Sequence, residues 1–389
     1  MADAPSTPAR PFRITAVIGT LDSGGAERIM AILTRAWVER GWDVTLLLTL
    51  ARAGYEPFFE PDPRIRIRTL DLYRSSHGVL DAARSNLRRV RVLRGAIRAS
   101  KPDLVLAFMT DSNVLAILAS LGLRVPVVVE EHIYSAWPPM PLPWRMVRLA
   151  TYPLASSVVA LTPPALATLG LARGRRGRVV PNPVMPPPPG QRGPADPPVI
   201  VAIGRLVPQK GYDLMLRAFA RVAAAHPTWS LEIWGEGPER ATLEAMRNTL
   251  GLADRVRFPG RTREPYDVLR RASLFVMSSR REGFPTVLGE AMACGLPVIS
   301  FDCPSGPREL IRDGVDGLLV PPDDVEALAA AMTRLIDDRT LAEALAARAA
   351  EVVERFALSA VLADWQAIFA EVGAMKHVSD GGADAGSTR

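Results

Sequence analysis

"VIVAIGRLVPQKGYDLMLRAFARVAAAHPTWSLEIW", residues 199–234, carries the pattern from which the fold is read. Val199–Ile203 is an unbroken run of valine, isoleucine and alanine, the composition of a strand buried on both faces. Gly204 ends the run. From Tyr212 to Ala225 apolar residues recur three and four apart, the period of an amphipathic helix. Ser230–Trp234 is again a short strand-like run. Strand, helix and strand in this order make a parallel βαβ unit, which predicts an α/β fold.

Outward from that unit the alternation repeats. Toward the C-terminus a helix is predicted at Glu239–Leu250, strands at Val256–Phe258 and Leu274–Met277, a helix at Val287–Cys294 and a strand at Val298–Phe301. Helices follow at Val325–Ile336, Leu341–Phe356 and Ala360–Val372. Toward the N-terminus strands are predicted at Phe12–Ile18, Asp43–Leu50, Leu104–Phe108, Val125–Val129 and Val158–Leu161, with helices at Gly25–Arg40 and Val79–Ala99. Between the halves lies "VPNPVMPPPPGQRGPADPPV", residues 180–199, too proline-rich for a helix or a central strand. The expected organisation is a first doubly wound domain over residues 1–180 and an extended linker over 181–198. A second such domain covers 199–356, a helix within 357–375 packs back on the first, and 376–389 form a disordered tail. Two Rossmann-like domains place the ligand cleft between them, at the carboxyl ends of the strands.

A chain of 389 residues, 48% hydrophobic and 23% charged, suits two packed domains. No apolar run is long enough to span a bilayer and no secretory leader is read at the N-terminus. Two cysteines, Cys294 and Cys303, give no disulfide framework. The net charge of +6 is uneven: residues 1–180 hold 24 basic and 14 acidic side chains, the remainder 23 and 27. The first half should therefore face something anionic: phosphate, a membrane surface or nucleic acid.

Three stretches carry chemistry. "IGTLDSGGAERIM" puts Gly24 and Gly25 between a strand and a helix, where free backbone N–H groups receive phosphate; a tight turn alone would look the same. The spacing is neither the dinucleotide fingerprint nor a P-loop. In "AIGRLVPQKGYDL", Arg205 and Lys210 stand at a strand's carboxyl end and could straddle a diphosphate, or be two solvated loop cations. In "REGFPTVLGEAMACGLPVIS", Glu282 precedes the turn Gly283-Phe284-Pro285-Thr286, and Glu290 falls one turn into the following helix. Carboxylates there could accept sugar hydroxyls, or serve as a cap and a surface charge. His132 follows a strand and two glutamates at the cleft. No Asp-x-Asp or His/Cys cluster with metal spacing occurs, so no metal and no cofactor is expected.

Together these pieces resemble the family-four retaining glycosyltransferases, which have the GT-B fold, and the resemblance covers nearly the whole chain. "TLDSGGAER", "EEHIYSAW", "WRMVRLATYP" and "SFDCPSGPREL" are similar to bacterial undecaprenyl-diphosphate-glycan N-acetylgalactosaminyltransferases. The resemblance implies transfer of a hexose or N-acetylhexosamine, with retention, from a nucleotide sugar such as a UDP-sugar to a lipid-linked or polysaccharide acceptor. Glu290 would hold the ribose hydroxyls, and Glu282 would bind the donor sugar near its 3-hydroxyl. Arg205 and Lys210 would neutralise the diphosphate. Gly24, Gly25 and the turn Gly283-Phe284-Pro285-Thr286 would complete the cradle. His132 would lie beside the sugar, and the first domain would hold the acceptor. Gly289 departs from the family, where a larger residue is usual.

The helix at Val79–Ala99 carries Arg84, Arg88 and Arg91 on one stripe. With Trp137, Trp144, Met146 and Arg145 further on, it suggests a cytoplasmic protein peripherally bound to the anionic inner face of the membrane, with the stripe taking the acceptor's diphosphate. The partners expected are a nucleotide sugar, that acceptor and the membrane surface, and no nucleic acid. A GT-B epimerase or phosphorylase, or a non-catalytic sugar-nucleotide-binding protein, are the rival readings.

Overall fold

The computed structural model describes residues 10–72, 79–132, 142–170, 176–190, 193 and 195–375. The first sheet holds β1 Arg13–Ile18, β2 Asp43–Leu48, β3 Arg66–Thr69, β4 Leu104–Phe108, β5 Val127–Glu131, β6 Ser157–Ala160 and β7 Gly177–Val179. Its order is β3-β2-β1-β4-β5-β6-β7, and every pairing is parallel. The second holds β8 Val199–Ile203, β9 Ser230–Trp234, β10 Val256–Gly260, β11 Leu274–Met277, β12 Val298–Phe301 and β13 Leu318–Val320, ordered β10-β9-β8-β11-β12-β13 and also parallel. Each sheet begins at its centre and is wound outward both ways. The order therefore reverses between β1 and β4 and again between β8 and β11, where a crevice opens.

The strands are apolar on both faces because helices cover both. Ile14, Ala16 and Ile18 of β1 enter one core cluster, while Val17 enters the cluster on the opposite face. In β8, Ile200 and Ala202 face one cluster and Val199 and Val201 the other. This period of two is what turns an unbroken hydrophobic run into a two-sided core.

The strand β3 was not expected. Its sequence, Arg-Ile-Arg-Thr, lies at the sheet edge and is mostly exposed, so it carries no run of buried residues. Helices at Thr110–Ser120, Leu142–Thr151, Pro163–Thr168 and Pro265–Arg271 and the strand β13 also go beyond the sequence reading. The helix expected over 341–356 is two, Arg339–Ala349 and Val352–Arg355. At the break Glu351 accepts a 2.7 Å hydrogen bond from Arg312 Nη2, and Val352 is fully buried.

The linker is irregular but is not a free spacer. Val184 is buried in a second-domain cluster, and its N–H donates to the Phe356 carbonyl at 3.0 Å. A Cβ on Gly289 would stand 2.9 Å from Val184 Cγ2, so this glycine lets the linker lie against its helix. That accounts for a glycine inside a helix, where it costs about 1 kcal/mol relative to alanine. The last helix, Leu358–Glu371, returns to the first domain, and Val361, Leu362, Trp365, Ile368 and Phe369 enter the cluster built on β1. Residues 376–389, expected as a tail, lie outside the described residues, as do 133–141 with Trp137. Among the described residues no helix is long and apolar enough to cross a membrane.

Candidate active site

The carboxyl ends of the two sheets face each other across a cleft of about 790 Å³. From the first domain it is lined by Gly24 and Gly25 after β1 and by His132 after β5. From the second come Gly204, Arg205 and Lys210 after β8, Gly235 and Glu236 after β9, and Glu282 to Thr286 after β11. Glu290 lines it from the Thr286–Ala293 helix. Thus Gly24, Gly25, His132, Arg205, Lys210, Glu282, Gly283, Phe284, Pro285, Thr286 and Glu290 share one cavity. Arg84, Arg88 and Arg91 do not line it; they are exposed on the Val79–Ser100 helix.

Close backbone approach fixes the cleft's width. A Cβ on Gly283 would stand 2.2 Å from the His132 carbonyl oxygen, in the other domain, so only glycine allows the two walls to meet there. Thr162 Oγ1 and Ser305 Oγ share a 2.8 Å hydrogen bond across the domains. Gly211 has φ +62 and a Cβ there would lie 2.1 Å from the Ser278 carbonyl oxygen. This left-handed turn starts the Tyr212–Ala225 helix directly after Lys210, and holds Lys210 over the end of β11.

Several of the site's charged groups are paired. Lys210 Nζ donates to Glu282 Oε1 at 2.6 Å, with both side chains largely buried. His132 Nε2 lies 3.0 Å from Glu130 Oε2 and its ring is 4.7 Å from that of Phe108, so the imidazole is held from two sides. Behind it the buried Glu131 accepts hydrogen bonds from Thr110 Oγ1 at 2.8 Å and Tyr152 at 2.7 Å. Burial pushes the Glu131 pKa up, and those hydrogen bonds only partly oppose it. Glu27 folds back against Gly24, where a Cβ would be 2.0 Å from Glu27 Oε2. Its carboxylate thus holds the helix N-terminus at which the sequence pointed to phosphate. Burial raises its pKa, opposed by a backbone hydrogen bond in its own turn and then by His132 and Arg205.

Sequence reasoning missed Arg28. Its Nη1 lies 2.7 Å from Glu290 Oε1, across the cleft, with the Glu290 side chain only 5% exposed. Burial lifts the Glu290 pKa to about 7, even against the opposing pull of Arg28. Phe58, Phe59, Asn182, Arg261 and Arg263 also line the cavity unforeseen. The one local signal was the position of Glu27 and Arg28 in the first turn after Gly24-Gly25.

Two facing parallel sheets with a shared cleft at their carboxyl ends define a GT-B architecture. Residues 24–184 match the family model described as glycosyl transferase 4-like domain, and residues 189–352 match that of glycosyl transferases group 1. The chain belongs to the glycosyltransferases built from these two domains. It is 28% identical over 371 residues, 93% of this chain and 99% of the relative, to the GalNAc-alpha-(1->4)-GalNAc-alpha-(1->3)-diNAcBac-PP-undecaprenol alpha-1,4-N-acetyl-D-galactosaminyltransferase of Campylobacter jejuni. Over 174 residues, 44% of this chain, it is 42% identical to an exopolysaccharide phosphotransferase of Streptomyces coelicolor, but spans only 18% of that protein. In fold it is similar to sucrose-phosphate synthase of Thermosynechococcus elongatus, with TM-score 0.79 and 21% identity over 93% of this chain and 99% of that one. It is likewise similar to Anabaena HepE in complex with UDP and glucose, with TM-score 0.73 and 22% identity over 94% and 100%.

Proposed function

We propose that this glycosyltransferase moves a hexose or N-acetylhexosamine from a UDP-sugar to a lipid-diphosphate-linked glycan, with retention and without a metal ion. The observation that carries the reading is the second-domain wall of the cleft. There Arg205, Lys210, Arg261, Arg263 and Arg281 line the same cavity as Glu282 and Glu290. Carboxylates accept the hydroxyls of ribose and sugar, and the cations take the charge of a departing diphosphate. The name of the Campylobacter relative supports the acceptor class, and the UDP and glucose of the HepE complex support the donor class.

In this reading the bond between the anomeric carbon and the diphosphate oxygen breaks, and its electron pair leaves with the diphosphate. Lys210 and Arg205 stabilise that charge as the sugar becomes oxocarbenium-like. The acceptor hydroxyl adds on the same face, and its proton passes to the departing phosphate oxygen. Glu282 orients the sugar, and His132, fixed by Glu130, closes the opposite wall.

The acceptor's lipid would enter from the membrane side of the first domain. On the Leu142–Thr151 helix Leu142, Trp144, Met146, Val147 and Leu149 are exposed together with Arg145, a composition suited to a headgroup interface. This supports a peripheral position on the inner face of the membrane.

A panel of UDP- and GDP-sugars, assayed for nucleotide release with and without an undecaprenyl-diphosphate-glycan acceptor, tests the reading. Acceptor-dependent release from one UDP-hexose or UDP-N-acetylhexosamine, unchanged by EDTA, is expected. Release from GDP-sugars alone, or loss of turnover in EDTA, would overturn the donor or the metal assignment.

A further inference from the structure

Arg28 stands in the first turn of the Gly25–Glu39 helix and reaches out of the first domain. Its guanidinium lies 6.0 Å from the Phe59 ring of its own domain and 5.6 Å from the Tyr266 ring of the other. Its Nη1 meets Glu290 Oε1 at 2.7 Å. One cation is therefore seated between two rings, one from each domain, and against a carboxylate buried in the second. An unpartnered carboxyl in such a place takes up a proton, because burial disfavours its charged form.

We propose that Arg28 is a positioning residue for the nucleotide: from the opposite domain it holds Glu290 as an oriented carboxylate, ready to accept hydroxyl donors. The inference rests on the reading of Glu290 as a nucleotide contact. The ion pair runs through Oε1, and an ionised carboxylate retains further lone pairs, on Oε2 above all, for a hydroxyl. A planar guanidinium suits the seat because it stacks on rings while it donates in its own plane.

Among the described residues, two groups bear on Glu290. Arg28 comes from the first domain, and Tyr266 from the Pro265–Arg271 helix. Arg270 and Cys294 act on Tyr266, whose phenol is raised by burial and by Glu290. With the Glu290 pKa at about 7, a fall in pH protonates it and removes an acceptor, so nucleotide affinity should decline below that point. Arg28 opposes the upward shift; without it the midpoint moves higher.

Calorimetric titration of UDP and GDP from pH 5.5 to 9 tests this on the full chain and on Arg28→Gln, Arg28→Lys and Glu290→Gln. Arg28→Gln should raise the midpoint by about one unit, which lowers affinity about fivefold at pH 7 and restores it toward wild type by pH 9. Arg28→Lys should return most of the shift. Recovery at high pH distinguishes positioning from a general structural defect. An Arg28→Gln curve that overlays wild type, or one depressed equally at every pH, overturns the inference. If Glu290→Gln binds as tightly as wild type, or neither nucleotide binds wild type, the reading of Glu290 falls and the inference with it. If Glu290→Gln is weak while Arg28→Gln overlays wild type, the inference alone falls.

Discussion

Lys210 is bonded to Glu282, and that bond decides what its removal does. If Lys210 serves the leaving diphosphate as proposed, Lys210→Ala takes away one preorganised charge and should lower kcat/KM on the order of 10²–10³-fold. It also leaves the nearly buried Glu282 without its cation, so the variant should melt below wild type in a thermal scan. Near-wild-type turnover would remove Lys210 from the leaving-group site. Lys210, Arg205 and Glu282 were legible in the sequence because each sits beside a glycine-marked turn at a strand end, and Glu290 because it falls one turn into the helix that follows such a turn. Arg28, Phe58 and Asn182 were not. Their roles depend on how near one domain comes to the other, and local spacing has no imprint of that distance. Gly283 is intermediate: its turn was visible, but the reason for a glycine, the His132 carbonyl, lies 151 positions away by residue number.

Among the elements, the central strands and the helices between them were readable because burial on both faces writes a continuous apolar run. Elements at the margins were not. The edge strand β3 is mostly exposed, β13 has only three residues, and the break near Glu351 has no glycine or proline to mark it. The last helix is where a sequence reading and a packing argument meet. Trp365 is almost wholly buried, its ring 5.7 Å from Phe369 and 6.3 Å from Phe108, which stands beside His132. Trp365→Ala should destabilise the first domain by about 3–5 kcal/mol, the usual cost of deleting a large buried aromatic. Denaturant unfolding followed by domain-specific hydrogen exchange would measure it. A loss confined to the second domain would contradict this packing.

At the scale of the whole molecule Arg84, Arg88 and Arg91 and the apolar side chains of the Leu142–Thr151 helix are exposed and do not line the cleft. Vesicles rich in anionic lipid should sediment the protein at low salt and release it as salt rises, since each Lys or Arg at such a surface is worth about 1 kcal/mol and is screened. Replacing Arg84, Arg88 and Arg91 by Glu should raise KM for a lipid-diphosphate acceptor and spare UDP-sugar affinity. Unchanged acceptor kinetics would leave the stripe an ordinary solvated face. The chain crosses between the domains twice, once through the linker and once before the last helix, and the hydrogen bond from Val184 to Phe356 lays these two crossings side by side. Two tethers fastened at one place act as a single pivot. The Val184 side chain rests against Gly289, so Glu290 is next to the pivot and travels least when one domain swings on the other. Displacement in a rotation grows with distance from the axis. In such a swing the far rim of the cleft therefore sweeps the widest arc, while the end beside Glu290 stays almost still.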